Sequence, residues 1–177
     1  YLCLAVKSGP IILFLGFSLL IILGDILISE EDSEFQYSHP YFLNLPMYIN
    51  LPLLVLFLLM TISLLSKNII EHWIISEYLN IDLNKVKESL YFIDKVSLVA
   101  ISSLFIGIMG TVPGHELVHR KTSKFDMFMG NWLLSLSWDC AFALEHVYGH
   151  HKNVGLQTDP ATAKRVENIY AFILRAI

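Results

Sequence analysis

The residues able to do chemistry in this sequence are two groups of histidines. The first is His115-Glu116-Leu117-Val118-His119 and the second Glu145-His146-Val147-Tyr148-Gly149-His150-His151. On an α-helix, residues four apart lie on one face with Cβ atoms about 5–6 Å apart, so His115 with His119, and His146 with His150, are each within reach of a common metal. His151 adds an imidazole beside the second pair. The first group alone is ambiguous, because the same H-E-x-x-H pattern serves zinc proteases, with the glutamate as general base. Five of the seven histidines fall between positions 115 and 151, however, and five imidazoles exceed what one tetrahedral zinc needs. They suit two metals or a larger site, and imidazole-rich sites with open positions are used for oxygen activation by non-haem iron. Glu116 and Glu145 are either ligands, partners that fix an imidazole tautomer, or solvated; the tautomer role is preferred. Asp139 either orients a ligand histidine or lies at an interface, and Asp159, beside Pro160, is either another such carboxylate or a turn or N-cap residue. His39 and His72 lack metal spacing and are assigned no metal role. Trp132, Trp138, Phe142 and Tyr148 line a channel or, by preference, pack against neighbouring helices.

The elements that must position these groups are apolar. The 177 residues are 55% hydrophobic with a mean hydropathy of +0.58, and the apolar residues form long runs rather than one face of a helix, which fits lipid as the solvent. Residues 10–28 hold Asp25 as their one charge and are long enough to cross a hydrocarbon core of about 30 Å. A second run covers 46–66, with Pro46 in its first turn and Pro52 as a slight kink. A third covers 96–112, ending at a break or kink marked by Pro113-Gly114. A fourth, less apolar, covers 125–144. The expected fold is all-α, an integral-membrane helical bundle with about four apolar helices and the histidine groups at cytoplasmic helix ends. Residues 67–95 suit an amphipathic interfacial helix anchored by Trp73 and Tyr78, and an acidic connector (Glu30, Glu31, Asp32, Glu34) precedes the second run.

A net charge of −4 provides no basic surface for a phosphate backbone, so no nucleic-acid partner is expected. Neither phosphate-binding glycine motif is present. Cys3 and Cys140 are too isolated for a disulfide framework or thiolate site and read as buried apolar residues. Arg120, Lys121, Lys124, Lys152, Lys164 and Arg165 flank the histidine groups, which favours the cytoplasm for them, although four lysines in 67–95 weigh against it. The chain starts at Tyr1 and stops within a fresh apolar stretch from Tyr170, so both ends read as truncations of one longer membrane-embedded domain.

The sequence resembles the membrane-bound alkane hydroxylase family, within the wider superfamily of integral-membrane fatty acid desaturases and hydroxylases. The resemblance is carried by Gly-His-Glu-Leu-Val-His-Arg-Lys (114–121), Glu-His-Val-Tyr-Gly-His-His-Lys (145–152), Thr-Asp-Pro-Ala-Thr (158–162) and Glu-Asn-Ile-Tyr-Ala-Phe (167–172), in the family's order and spacing, with Gly-Asp-Ile-Leu-Ile-Ser-Glu-Glu-Asp (24–32) as the acidic end of its second helix. It implies that His115, His119, His146, His150 and His151 are iron ligands facing the cytoplasm, that two iron ions and O2 take part, and that further histidine boxes come later in the family's chains. It also implies hydroxylation of a hydrophobic substrate, the terminal carbon of a medium-chain n-alkane, in a bacterial inner membrane, with electrons from a rubredoxin-type donor and an NAD(P)H-dependent reductase. The alternatives are a desaturase or another lipid or aromatic-methyl hydroxylase of the superfamily, a membrane zinc protease using the first histidine group alone, and a non-enzymatic metal carrier.

Overall fold

The computed structural model describes residues 8–28, 38–66 and 82–176, and every regular element among them is helical. Among the described residues, three helices are long and apolar enough to cross a membrane: Gly9–Leu27, Tyr41–Leu65 and Phe92–Val118. The chain is an integral membrane protein. Most of the large apolar side chains of the first two helices are exposed, including Leu20, Ile26 and Leu56, as expected of faces turned to lipid rather than to a protein core. The acidic connector, the stretch 67–81 with Trp73, Tyr78 and His72, and Cys3 lie outside the described residues.

The described residues form two compact units, divided between Gly107 and Ile108. In the first, α1 (Gly9–Leu27), with Pro10 in its first turn, packs on α4 (Phe92–Phe105), and α2 (Leu45–Leu65) joins them. Phe105 is the shared contact, 5.2 Å between ring centroids from Phe17 and 5.3 Å from Phe57. Leu64, Leu98 and Ile101 form the buried centre with Val86, which lies on α3 (Leu83–Ser89). The hydroxyls within these helices are satisfied internally: Ser18 donates to the Phe14 carbonyl at 2.8 Å and Ser102 to the Leu98 carbonyl at 2.6 Å. Lipid offers no alternative partner.

The interfacial helix expected over 67–95 is interrupted at its described end. Asp82 caps α3 by accepting from the backbone N–H groups of Asn84 and Lys85 at 3.1 and 3.3 Å, and α3 stops at Ser89. A new helix starts at Phe92, because the Asp94 carboxylate accepts the Tyr91 N–H at 3.0 Å in capping-box fashion. The third span thus begins four residues before Val96. Lys87 closes the end of α2, donating to the Ser66 carbonyl at 2.7 Å, a cation where the helix dipole is negative.

The expected break at Pro113 takes another form. Ile106–Thr111 is a π-helix, and the chain stays helical through α5 (Val112–Val118). A proline has no N–H to donate and its ring crowds the carbonyl four residues back. Turns closed from i to i+5 just ahead of it lift both demands and leave the helix unbroken.

Candidate metal centre

The site lies within the second unit, and its floor is a tight helix pair. Ser123 caps α6 (Lys124–Leu136) by accepting from the Asp126 N–H at 3.2 Å, and α6 folds back on α5. The two helices touch through glycines: a Cβ on Gly130 would sit 3.0 Å from the Gly114 carbonyl oxygen, and one on Gly114 would sit 3.2 Å from the Gly130 carbonyl oxygen. Gly114 directly precedes His115, so this contact sets the depth at which the first imidazole is presented.

The fourth apolar run, 125–144, does not form one helix. It ends at Leu136, where Trp138 takes a left-handed backbone (φ 65°), the Asp139 N–H returns to the Leu134 carbonyl at 3.0 Å and the Trp138 N–H to the Ser135 carbonyl at 3.1 Å. This is a Schellman ending without the usual glycine. A left-handed backbone costs a residue with a Cβ about 1–2 kcal/mol, so nothing in the local sequence announces the stop. The turn leaves Cys140 exposed, which corrects its expected burial. Asp139 contributes its backbone to the turn and has no side-chain contact with a histidine among the described interactions.

After the turn comes a second π-helix, Ala143–His150, held by the buried side chains of Ala143 and Val147 against Val118 and Leu134. Its winding decides which imidazoles meet. The spacing predicts His146 and His150 on one face, and the wider π-helical winding brings His151 to His146 as well. The Nε2 atoms of His146 and His151 are 3.1 Å apart. His115 Nε2 lies 2.7 Å from His146 Nε2 and 2.9 Å from His119 Nε2. Nitrogens of His115, His119 and His146 all fall within 4.8 Å of one another, a grouping able to hold a metal. His150 stacks on His146 with centroids 5.3 Å apart, and its Nδ1 turns away to Asp159, 2.7 Å from Oδ2.

The donor set fits a cation. Each Nε2 carries either one proton or one lone pair, so a row of four imidazole nitrogens with three contacts at hydrogen-bond distance forms at most two full hydrogen bonds, and a shared cation would satisfy the close contact left over. His146, at the centre, has its pKa lowered to about 4 by burial and then by its neighbours His115, His151, His119 and His150. It is therefore neutral near neutral pH, the state a metal ligand requires. Burial, His119, His150 and Lys121 lower His151 as well. Phe142 stacks on the His146 ring at 4.6 Å and 24° and meets His115 edge-on at 5.4 Å, making an apolar wall.

Of the four carboxylates singled out, Asp159 alone has a described contact with a histidine. It is buried, accepts from Thr162 Oγ1 and from the Ala161 N–H at 3.1 Å, and these bonds, led by that of Thr162, hold its carboxyl below the ordinary range. Glu116 is exposed and pairs with Arg120 at 3.2 Å. Glu145 is exposed on the rim of a cavity of about 500 Å³ bordered by Phe142, His146, His150 and Arg175. His39 contacts Tyr41 at 3.3 Å, within the first unit. Trp132, Trp138 and Tyr148 are exposed, and Lys121 lies over the Tyr148 ring at 4.9 Å.

Residue type and spacing single out neither Glu167 nor Arg175 as functional, although Glu167 opens the 167–172 stretch. Arg175, on α7 (Ile169–Ala176), donates from Nε to Glu167 Oε1 and from an Nη to Oε2, both at 2.8 Å. These charge-assisted bonds lower the Glu167 carboxyl to about 2 from 4.5 and raise Arg175. A carboxyl depressed on folding stabilises the loop fully above its unfolded value and loses that contribution as pH falls through the folded one. Amide exchange over 159–167 in detergent, corrected for intrinsic rate, is expected to hold steady from about pH 7 to 5 and to accelerate between 4.5 and about 2. Acceleration confined to the range above pH 5 would contradict the assignment.

Residues 95–177 match the fatty acid desaturase family model. The chain is 44% identical over 64 residues to alkane 1-monooxygenase 1 of Alcanivorax borkumensis, covering 36% of this chain and 16% of that protein. Over 83 residues it is 37% identical to the alkane 1-monooxygenase of Pseudomonas putida and 35% identical to that of Ectopseudomonas oleovorans, covering 47% of this chain and 20% of each relative. The matched part thus spans a fifth or less of these relatives. The segment that carries both histidine groups is therefore similar to the fatty acid desaturase family and, within it, to alkane 1-monooxygenases.

Proposed function

We propose that the intact protein is a membrane-bound non-haem di-iron monooxygenase that hydroxylates a hydrophobic substrate with O2, its preferred substrate being a medium-chain n-alkane attacked at the terminal carbon. The observation that carries this reading is the convergence of His115, His119 and His146 on one point, with His151 beside them. His115, His119, His146, His150 and His151 would hold the metal, and the later histidine boxes of the family would complete the site. Bound iron would supply the activation of O2.

The protein's own residues bind and shield. Phe142 walls the imidazoles with hydrocarbon, which keeps water from a site that handles an oxidant. Asp159 accepts the Nδ1 proton of His150, leaving Nε2 as the lone pair. Hydroxylation consumes O2, two electrons and two protons, releasing alcohol and water, so an outside reductant is needed; a rubredoxin-type donor and NAD(P)H-dependent reductase fill that role. The chain is read as part of one domain in a bacterial inner membrane, with the histidines on the cytoplasmic side.

The test is turnover of n-octane by membranes holding the full-length protein, with reductant and isotopically labelled O2. Labelled 1-octanol is expected. Alkene without label would make it a desaturase, and zinc in place of iron in active protein would overturn the reading.

A further inference from the structure

Arg175 makes more bonds than an ordinary surface arginine. Besides its two bonds to Glu167 it donates from Nη1 to the Pro160 carbonyl at 2.8 Å and from Nη2 to the Thr162 carbonyl at 3.0 Å. Only 26% of its side chain and 11% of that of Glu167 are exposed, so its bonds to Glu167 and to the Thr162 carbonyl form where water competes weakly, while that to Pro160 lies at the surface. Glu167 is fixed from its other side as well, accepting the Lys164 N–H at 2.8 Å, and Val166 before it is held in a left-handed backbone at φ 66°. A β-branched residue persists there only when its surroundings over-determine it.

The two carbonyls that Arg175 grips flank the turn that Asp159 starts. Within that turn Thr162 donates to Asp159 and accepts the Gly155 N–H at 2.9 Å, and the remaining reach of Asp159 is to His150 Nδ1 at 2.7 Å. A continuous path of bonds therefore runs from the guanidinium to a histidine. Lysine, a single point donor, cannot serve both carbonyls and both carboxylate oxygens at once.

We propose that Arg175, seated on Glu167, is a positioning residue for His150: by gripping the carbonyls of Pro160 and Thr162 it fixes the Asp159 turn, and with it the tautomer and direction of that imidazole. The assignment rests on the reading of the histidine group as a metal centre. Loosening such an outer support typically weakens metal binding 10–100-fold.

The test uses the full-length protein in detergent, stripped of metal and titrated with Co²⁺, whose visible absorption reports both affinity and ligand geometry. Arg175→Gln is expected to bind Co²⁺ about 10-fold more weakly, with an altered spectrum and a wild-type melting temperature. Asp159→Asn should do the same, and the double variant should be no worse than Asp159→Asn alone, because both act through one path. Glu167→Gln serves if Arg175→Gln does not accumulate in the membrane. Unchanged affinity and spectrum in Arg175→Gln and Glu167→Gln, or losses that add in the double variant, would overturn the proposal. Failure of the wild type itself to bind Co²⁺ would instead overturn the metal-centre reading beneath it.

Discussion

Replacing His146 with alanine in the full-length protein is expected to abolish alkane hydroxylation and to release the bound metal, while the protein stays in the membrane at wild-type abundance. No other imidazole is so central. Its Nε2 meets those of His115 at 2.7 Å and His151 at 3.1 Å, and its ring contacts those of His119 and His150 at 5.3 Å. Loss of a group that only supports a ligand costs about 10–100-fold in affinity or activity, and removal of the central ligand should exceed the upper end of that range. The fold is spared because Ala143 and Val147, not His146, pin this segment to Val118 and Leu134. Metal content and labelled-alcohol yield, measured on the same membranes, check the expectation. Hydroxylation near the wild-type rate would refute His146 as a ligand.

Gly130→Val should be nearly as damaging, although Gly130 touches no histidine. Its added Cβ would lie 2.8 Å from Val118 Cγ1, 3.0 Å from the Gly114 carbonyl oxygen and 3.0 Å from Leu117 Cβ. The valine could turn aside, but the carbonyl is backbone, so α5 and α6 must part. Overpacking of this kind costs about 1–3 kcal/mol, occasionally more, and small residues at such crossings are what allow membrane helices to approach. Parting the pair moves His115 and His119 away from His146, so metal content should fall together with the melting temperature. Gly130→Ala should show the same direction with a smaller loss. Full metal occupancy in both variants would mean that the glycine contact does not set the position of the histidines.

Much of this was legible beforehand. The helical, membrane-embedded class followed from apolar runs long enough to span lipid, and three such helices are present among the described residues. The histidines followed from residue type and density, since clustered imidazoles in an apolar chain have few structural uses. The boundaries were less legible where capping chemistry overrode hydropathy, as at Asp94, which starts α4 at Phe92. The split of 125–144 was hidden because its left-handed stop falls on a tryptophan, and the Gly114–Gly130 contact because two glycines sixteen positions apart announce nothing until their helices cross. Glu167 and Arg175 are eight residues apart on either side of a helix start, a spacing no local rule flags.

By itself the sequence determined the clustering of imidazoles and the membrane-spanning helices, because these depend on side-chain chemistry and on the cost of leaving polar groups in hydrocarbon. Which donors share a point was decided by the tertiary structure. In an α-helix His151 would point well away from His146; the π-helix of Ala143–His150 brings it to His146 as well, while His150, stacked on His146, turns its Nδ1 to Asp159. That choice hangs on one extra residue per hydrogen-bonded turn, and residue spacing alone cannot say which winding the packed chain adopts.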